Sequence, residues 1–186
     1  MRSLNAGFLS SRLQRKLASW ARDHRGQTAV EFALIAAPFF FIIFGLLEIC
    51  LIFIMTTVLE HAVSDSSREI RTGQAQQAGF SKVEFRNSVC DEMFGLMSCD
   101  SNLHIDVKRL NSFSAASLGS PVDSDGNFDD SSFDFQPGGA NDIVAVRVYY
   151  EWGLVTPILS APLANLANGK HLISATTVFR NEPFGD

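Results

Sequence analysis

The sequence predicts an α+β protein in which one N-terminal membrane-spanning helix extends into a domain of helices packed on a small antiparallel sheet. Three observations predict this class. A long uncharged apolar run stands near the N-terminus, three later segments alternate like β-strands, and turn and helix-start signals separate them. The chain has 186 residues, which leaves enough sequence after the apolar run for one small domain with its own core.

Residues 1–26 are predicted to be a basic leader on the cytoplasmic side of the membrane. Its many bases face a single acid, Asp23, and the positive-inside rule assigns such a flank to the cytoplasm. The apolar residues of the leader recur at helical spacing, which fits either an amphipathic helix on the membrane surface or a disordered basic tail. A cytoplasmic flank explains the basic charge, so we expect no nucleic-acid partner.

Residues 27–58 are predicted to form the transmembrane helix. Residues 32–47 carry no charged or polar side chain, and this run is about 24 Å long at about 1.5 Å per helical residue. A bilayer core is about 30 Å thick, so the span must pass Glu31 or Glu48, or hold these acids at its edges. We interpret Glu48 as an edge residue, with a partner helix as the alternative. Pro38 removes one helical hydrogen bond and is expected to bend the helix.

Residues 59–186 are predicted to form an α+β domain on the non-cytoplasmic side of the membrane. The long helix is expected to continue out of the membrane as far as Arg71. A second helix is expected after Ser81 and Glu84, which have the spacing of a capping box. The buried face of this second helix is predicted to hold Val83, Val89, Cys90, Met93, Phe94 and Met97.

Three strands are predicted, at Leu103–Leu110, Ile143–Trp152 and His171–Arg180, because apolar and other residues alternate in each. Their alternate faces are expected to meet solvent. The residues assigned to these faces are His104, Asp106, Lys108, Arg147 and Glu151. Thr156 and Pro157 together predict the start of a short helix between the second and third strands.

The polar stretch 111–142 is predicted to be a long, partly mobile loop. Residues 123–129 partly match a calcium-binding loop. However, Gly126 stands at the fourth position of that pattern instead of the sixth, and the twelfth position holds Asp134 where a Glu is usual. Calcium is therefore the weaker alternative, and we expect no metal and no cofactor.

Two of the cysteines, Cys90 and Cys99, are predicted to form a disulfide in the domain, where an oxidising compartment would preserve it. Free thiols are the first alternative. A metal site is the second, although this pair lacks the other half of a zinc site. Cys50 lies in the apolar helix and is interpreted as a small apolar side chain.

The junction of leader and helix has a distinctive spacing. Gly26 ends the basic leader, and Glu31 is the fifth residue after it, directly before the apolar run. This arrangement resembles the precursors of a class of pilins. The resemblance implies that a prepilin peptidase cuts between Gly26 and Gln27, and that Glu31 pairs with the new N-terminal amine of a neighbouring subunit during assembly. On the residues alone, Glu31 could equally mark the membrane edge near the helix N-terminus, where negative charge is favourable.

Four patches make the chain similar to a TadE-like protein of the tight-adherence (Flp, type IVc) pilus system. They are RGQTAVEFALIAAPFF, PGGANDIVAVRVYYEW, Thr156-Pro157 and ATTVFRNEPF. The resemblance implies a pilin-like domain and a minor pilin or pseudopilin of an adhesion pilus. It also implies an inner-membrane anchor with the N-terminus in the cytoplasm and the domain in the periplasm. The implied partners are the inner membrane, other pilins or pseudopilins, and the prepilin peptidase.

No catalytic motif is found in the sequence. It contains no P-loop, no G-x-S-x-G and no H-E-x-x-H, and its histidines are scattered. We therefore expect a structural protein and not an enzyme. The alternative function is that of an uncleaved single-pass membrane protein acting as a periplasmic scaffold or ligand-binding module.

Overall fold

A computed structural model describes residues 26–99, 101–116, 119–156 and 160–185. The helices are α1 (Gln27–Arg71), α2 (Gln74–Gln77), α3 (Lys82–Glu92) and α4 (Ser160–Leu163). The strands are β1 (Leu103–Leu110), β2 (Ile143–Trp152) and β3 (His171–Arg180), and a short 3-10 helix, Phe113–Ala116, follows β1. All three strands therefore have the predicted bounds. The leader, for which the sequence leaves an amphipathic helix or a disordered tail open, lies outside the described residues except for Gly26, and so does Pro157 at the predicted helix start.

The chain forms two compact units, residues 1–44 and residues 45–186. In the first unit the described chain is the N-terminal part of α1. Its side chains are almost all exposed, and they include the aromatic residues Phe39, Phe40 and Phe41. The helix continues through Pro38. An apolar helix of this kind can tolerate the loss of the one hydrogen bond that a proline removes. This apolar helix is a candidate membrane anchor.

The second unit is built on an antiparallel sheet with the order β1-β2-β3. The remainder of α1 and α3 pack on one face of this sheet and form the hydrophobic core with it. Every second residue of β2 between Val144 and Val148 is fully buried there, because successive strand residues point to opposite faces. The α+β arrangement predicted from the sequence is confirmed.

Helix α3 begins as predicted, and Val89, Met93 and Met97 of its predicted buried face are confirmed. Ser81 and Glu84 form the capping box, in which the Ser81 backbone N–H donates to the Glu84 carboxylate over 2.6 Å. The predicted core residues Val83 and Phe94 are 64% and 74% exposed, so that part of the prediction is wrong. The buried residues are Phe85, Val89, Met93 and Met97. Residues spaced by four share a helix face, whereas two residues of separation turn a side chain about 200° away.

The Cys90–Cys99 disulfide predicted from the sequence is present. It joins the last turn of α3 to the segment that leads into β1. Arg86 reinforces the same connection, because its Nη2 donates to the Cys99 carbonyl over 2.6 Å. Cys50, the remaining cysteine, is exposed on α1.

The second face of the sheet was predicted to meet solvent, and this prediction is wrong. Asp106 is fully buried and Arg147 is 7% exposed. The two side chains form an ion pair, in which Arg147 Nη2 donates to Asp106 Oδ2 over 2.6 Å. The long loop of residues 111–142 covers them. Asp134 in this loop donates its backbone N–H to Asp106, and the Gly119 carbonyl accepts from Arg147. A charged pair can be buried when each partner satisfies the other.

The long loop is therefore a second layer of the domain. The Val107 backbone in β1 donates to the Asp134 carbonyl and accepts from the Gln136 N–H, each over 2.8 Å. Aromatic contacts among Phe128, Phe133 and Tyr149 fill the space beneath the loop. The hydrogen bonds tie residues 134–136 to the free edge of β1, and the aromatic contacts hold the described part of the loop against the second face of the sheet.

His104 was predicted to be a solvated strand residue, and the structure corrects this. Its side chain is only 15% exposed, and its two ring nitrogens lie 2.8 Å from Asp130 and 3.3 Å from Glu151. Glu151 also lies under this layer, with a pair to Lys170. Burial counteracts, but does not cancel, the hydrogen bonds from Asn168 and Lys170 that hold the pKa of Glu151 below its usual value.

The residues that resembled a calcium loop form a turn. The Asp123 carboxylate accepts the backbone N–H groups of Asp125 and Asn127 over 2.9 and 2.8 Å, and also the Asn127 side-chain amide. The Asn127 side chain is the main cause that holds the pKa of Asp123 below its usual value. Within the described parts of the chain, no group of three or more His, Cys, Asp or Glu side chains is placed to hold a metal ion.

Candidate functional sites on the long helix

The predicted cleavage point stands at the start of the long helix. Gly26 directly precedes α1, which begins at Gln27, and both residues are exposed. A Cβ atom built on Gly26 would meet no atom within 4 Å. A glycine with open space around it can adopt the extended backbone that a protease groove requires. The geometry is compatible with cleavage here, which stays a prediction.

Glu31 lies one helical turn after Gln27, on the same face of α1. Its side chain is exposed, and the Gln27 side-chain amide donates to its Oε1 over 2.9 Å. A carboxylate oxygen has more than one lone pair, so this bond leaves Glu31 with unused acceptor capacity. The assembly role predicted for Glu31 needs this availability, although nothing in the single chain tests the role.

Glu48, the other acid of the apolar region, is 1% exposed. Its carboxylate accepts three hydrogen bonds from the loop after β2. The donors are the backbone N–H of Val155 at 3.0 Å, and the backbone N–H and the hydroxyl of Thr156, both at 2.9 Å. We call this set of contacts the Glu48 clamp. Both interpretations made from the sequence, an edge residue and a residue facing a partner helix, miss this contact within the chain.

The Glu48 clamp solves two problems at once. A charged side chain in an apolar helix is costly unless it is paired, and a loop backbone N–H in apolar surroundings costs about 1–3 kcal/mol when it lacks an acceptor. In the clamp each side satisfies the other. An acid within an uncharged run signals that donors exist somewhere, but the main donors here are backbone N–H groups, which no sequence pattern marks.

Taken together, these features define a class: a protein with one long apolar N-terminal helix, a candidate membrane anchor, that leads into a small disulfide-linked α+β domain. The family model described as TadE-like protein matches residues 26–68, which begin at Gly26 and include both Glu31 and Glu48. The resemblance predicted from the sequence is therefore confirmed over this segment. Neither the curated proteins nor the solved structures include a significant match to this chain.

Proposed function

We propose that this chain is a minor pilin or pseudopilin that takes part in the assembly of a tight-adherence (Flp) pilus. The observation that carries the proposal is the family match at residues 26–68. The matched segment starts at the predicted cleavage residue, Gly26, and contains the predicted assembly residue, Glu31. Both residues are exposed, as a substrate of a peptidase and a subunit contact require.

The proposed location is the inner membrane, with the N-terminus in the cytoplasm and the domain in the periplasm. The basic leader supports this orientation through the positive-inside rule. The Cys90–Cys99 disulfide supports it independently, because disulfides persist in the periplasm and are rare in the cytoplasm.

In the proposed mechanism, prepilin peptidase removes the leader after Gly26, and Gln27 becomes the first residue of the mature chain. The Glu31 carboxylate then pairs with the N-terminal amine of a neighbouring pilin. Such a pair is favourable at membrane depth, where an unpaired charge is costly. Ala33 and Ala37 are one turn apart on α1, and small residues at this spacing let two membrane helices approach closely.

The proposed role is structural and not enzymatic. The buried polar groups of the domain serve its own fold: Asp106 pairs with Arg147, and Glu48 accepts from a loop. The partners in this proposal are other pilins or pseudopilins, the prepilin peptidase and the inner membrane, and it requires no cofactor and no nucleic acid.

The N-terminus of the membrane-extracted protein tests the proposal most directly. Intact mass and N-terminal sequencing are compared in cells with and without the prepilin peptidase. A mature start at Gln27 that depends on the peptidase is expected. A start at Met1 in both strains would instead favour the uncleaved periplasmic scaffold or ligand-binding module.

Two glycine variants make this test specific. Gly26→Val places a branched side chain at the proposed cleavage point and is expected to block processing. Gly7→Val makes the same change inside the leader and is expected to leave processing unchanged. Equal processing of both variants would contradict cleavage after Gly26.

A further inference from the structure

We infer that the loop after β2 lies in the lipid interface of the membrane, on the side of the domain, and that the Glu48 clamp holds it there. The inference concerns Leu154, Val155 and Thr156 and the part of α1 that faces them. It depends on α1 crossing the membrane, but not on a role in a pilus. The surface it describes is a second contact between the domain and the lipid, beside the helix itself.

The first argument is the exposed face of α1 around Glu48. Leu46 and Leu47, just before Glu48, are 59% and 54% exposed, and Phe53 and Ile54, just after it, are 69% and 51% exposed. Phe53 and Ile54 lie about 8 Å farther along the axis, at about 1.5 Å per residue. Exposed apolar side chains thus stand on both sides of the level of Glu48. Lipid is the solvent that suits such a face, which continues directly from the apolar span.

The second argument is the absence of charge on both partners of the clamp. In the sequence, no charged residue occurs in α1 between Glu48 and Glu60. None occurs either from Gly153 to Gly169, which is part of the longest uncharged stretch of the sequence after Glu60. Two long uncharged segments therefore meet at the clamp, and lipid accommodates such a pairing better than water does.

The third argument is the loop itself. Val155 is 67% exposed although it is apolar, while the backbone N–H groups of Val155 and Thr156 are both bonded to Glu48. Irregular backbone is tolerated at membrane depth when its polar groups are satisfied within the protein. The clamp meets this condition and leaves the Val155 side chain facing outward.

Depth-dependent quenching of a probe on Val155 tests the inference. The full-length chain carries Cys50→Ala, keeps its native disulfide, and is reconstituted in vesicles of phosphatidylethanolamine and phosphatidylglycerol. A fluorophore sensitive to its environment is attached to Val155→Cys. Quenching is measured with lipids that carry a nitroxide near the top of the acyl chain, and separately with aqueous iodide.

Two further labelled variants serve as controls. Val83→Cys is the matched control, because Val83 is 64% exposed and stands on α3. That helix contacts α1 at Glu69 through Ser88, well beyond Glu48 in the chain. Phe40→Cys, within the apolar run, is the positive control for the span.

The inference expects the Val155 probe to be quenched by the nitroxide lipid several-fold more strongly than the Val83 probe, and by iodide several-fold less. A Val155 probe that behaves like the Val83 probe, while the Phe40 probe is quenched by lipid, would overturn it. A Val155 probe that neither quencher reaches would show a protein cover, such as a second copy of the chain, and would also overturn it. A Phe40 probe that lipid does not quench would remove the membrane span, and the inference with it.

Discussion

Glu31 and Glu48 stand at the two ends of the same uncharged run, and the protein uses them in opposite ways. Glu31 is exposed and bonds to a side chain one turn away in its own helix. Glu48 is 1% exposed and accepts three bonds from a loop 107 and 108 positions later in the chain. Most of the acceptor capacity of Glu48 is taken up within the chain, whereas most of that of Glu31 is available to another molecule. The role of an acid in an apolar helix therefore depends on whether its hydrogen-bond donors lie within the chain or on another molecule.

The largest effect on pilus assembly is expected from Glu31→Gln. Removing the charge eliminates a charge-assisted pair of about 1.5–3 kcal/mol with the neighbouring amine, which corresponds to about a tenfold loss or more in assembly. Stability of the domain should not change, because Glu31 is exposed. The amount of sheared pili in the variant strain measures the first effect, and thermal unfolding of the purified chain measures the second.

Glu31→Asp is the control for this prediction. It keeps the charge on a shorter side chain and is expected to assemble better than Glu31→Gln. Normal pilus assembly by Glu31→Gln would refute the pairing mechanism and leave Glu31 as a membrane-edge residue.

The largest effect on stability is expected from Glu48→Leu, which should destabilise the domain by about 2–5 kcal/mol. The substitution leaves the partly buried N–H groups of Val155 and Thr156 without an acceptor, at about 1–3 kcal/mol each. Denaturant unfolding of the full-length chain in detergent, followed by tryptophan fluorescence, measures the change.

Glu60→Leu is the matched control for Glu48→Leu. Glu60 lies on the same helix but is exposed, so its replacement should change the unfolding free energy by less than about 0.5 kcal/mol. If the two substitutions had equal effects, the clamp would contribute nothing to stability, and the comparison of the two glutamates would fail.

Much of the fold was predictable from the sequence because the signals are local. The strand bounds follow from alternation within each segment, and the start of α3 follows from the pair Ser81 and Glu84. Alternation marks two different faces of a strand but does not say what covers the second one. Asp106 and Arg147 therefore looked solvated, although a loop buries them with each other.

The candidate sites show the same difference between local signals and contacts that are distant in the sequence. Gly26 and Glu31 could be singled out because their spacing along the chain is itself the signal. The partners of Glu48 could not be predicted, since the clamp is closed by backbone N–H groups far away in the sequence. Only the three-dimensional path of the chain brings these groups together.

A smaller effect is expected from Thr156→Val, which removes one hydroxyl donor from the Glu48 clamp and keeps the shape of the side chain. The loss of a single hydrogen bond to a charged carboxylate predicts a destabilisation of about 1.5–3 kcal/mol. Thr72→Val is the control, because the Thr72 hydroxyl bonds to a carbonyl at the surface and its loss should cost less than about 0.5 kcal/mol. In the double variant with Glu48→Leu, the Thr156 effect should vanish, because coupled residues are not additive. Additive effects would show that Thr156 does not act through Glu48.

The smallest expected effect belongs to Asp142, a carboxylate that anchors a turn at the surface. Its Oδ2 accepts the Gly139 backbone N–H over 2.8 Å and lies 3.5 Å from Arg109. The Gly139 bond is the main cause that holds the pKa of Asp142 below its ordinary value of 3.8. Because the folded-state pKa is lowered, this stabilisation is complete above the ordinary pKa and is lost as the pH falls through the folded-state pKa.

Asp142→Asn should therefore lower the Tm slightly at neutral pH. Thermal melts at decreasing pH should show that the gap in Tm between the variant and the unmodified chain closes below pH 3.8. A gap that persists in acid would mean that the stability of the turn does not depend on the charge of Asp142.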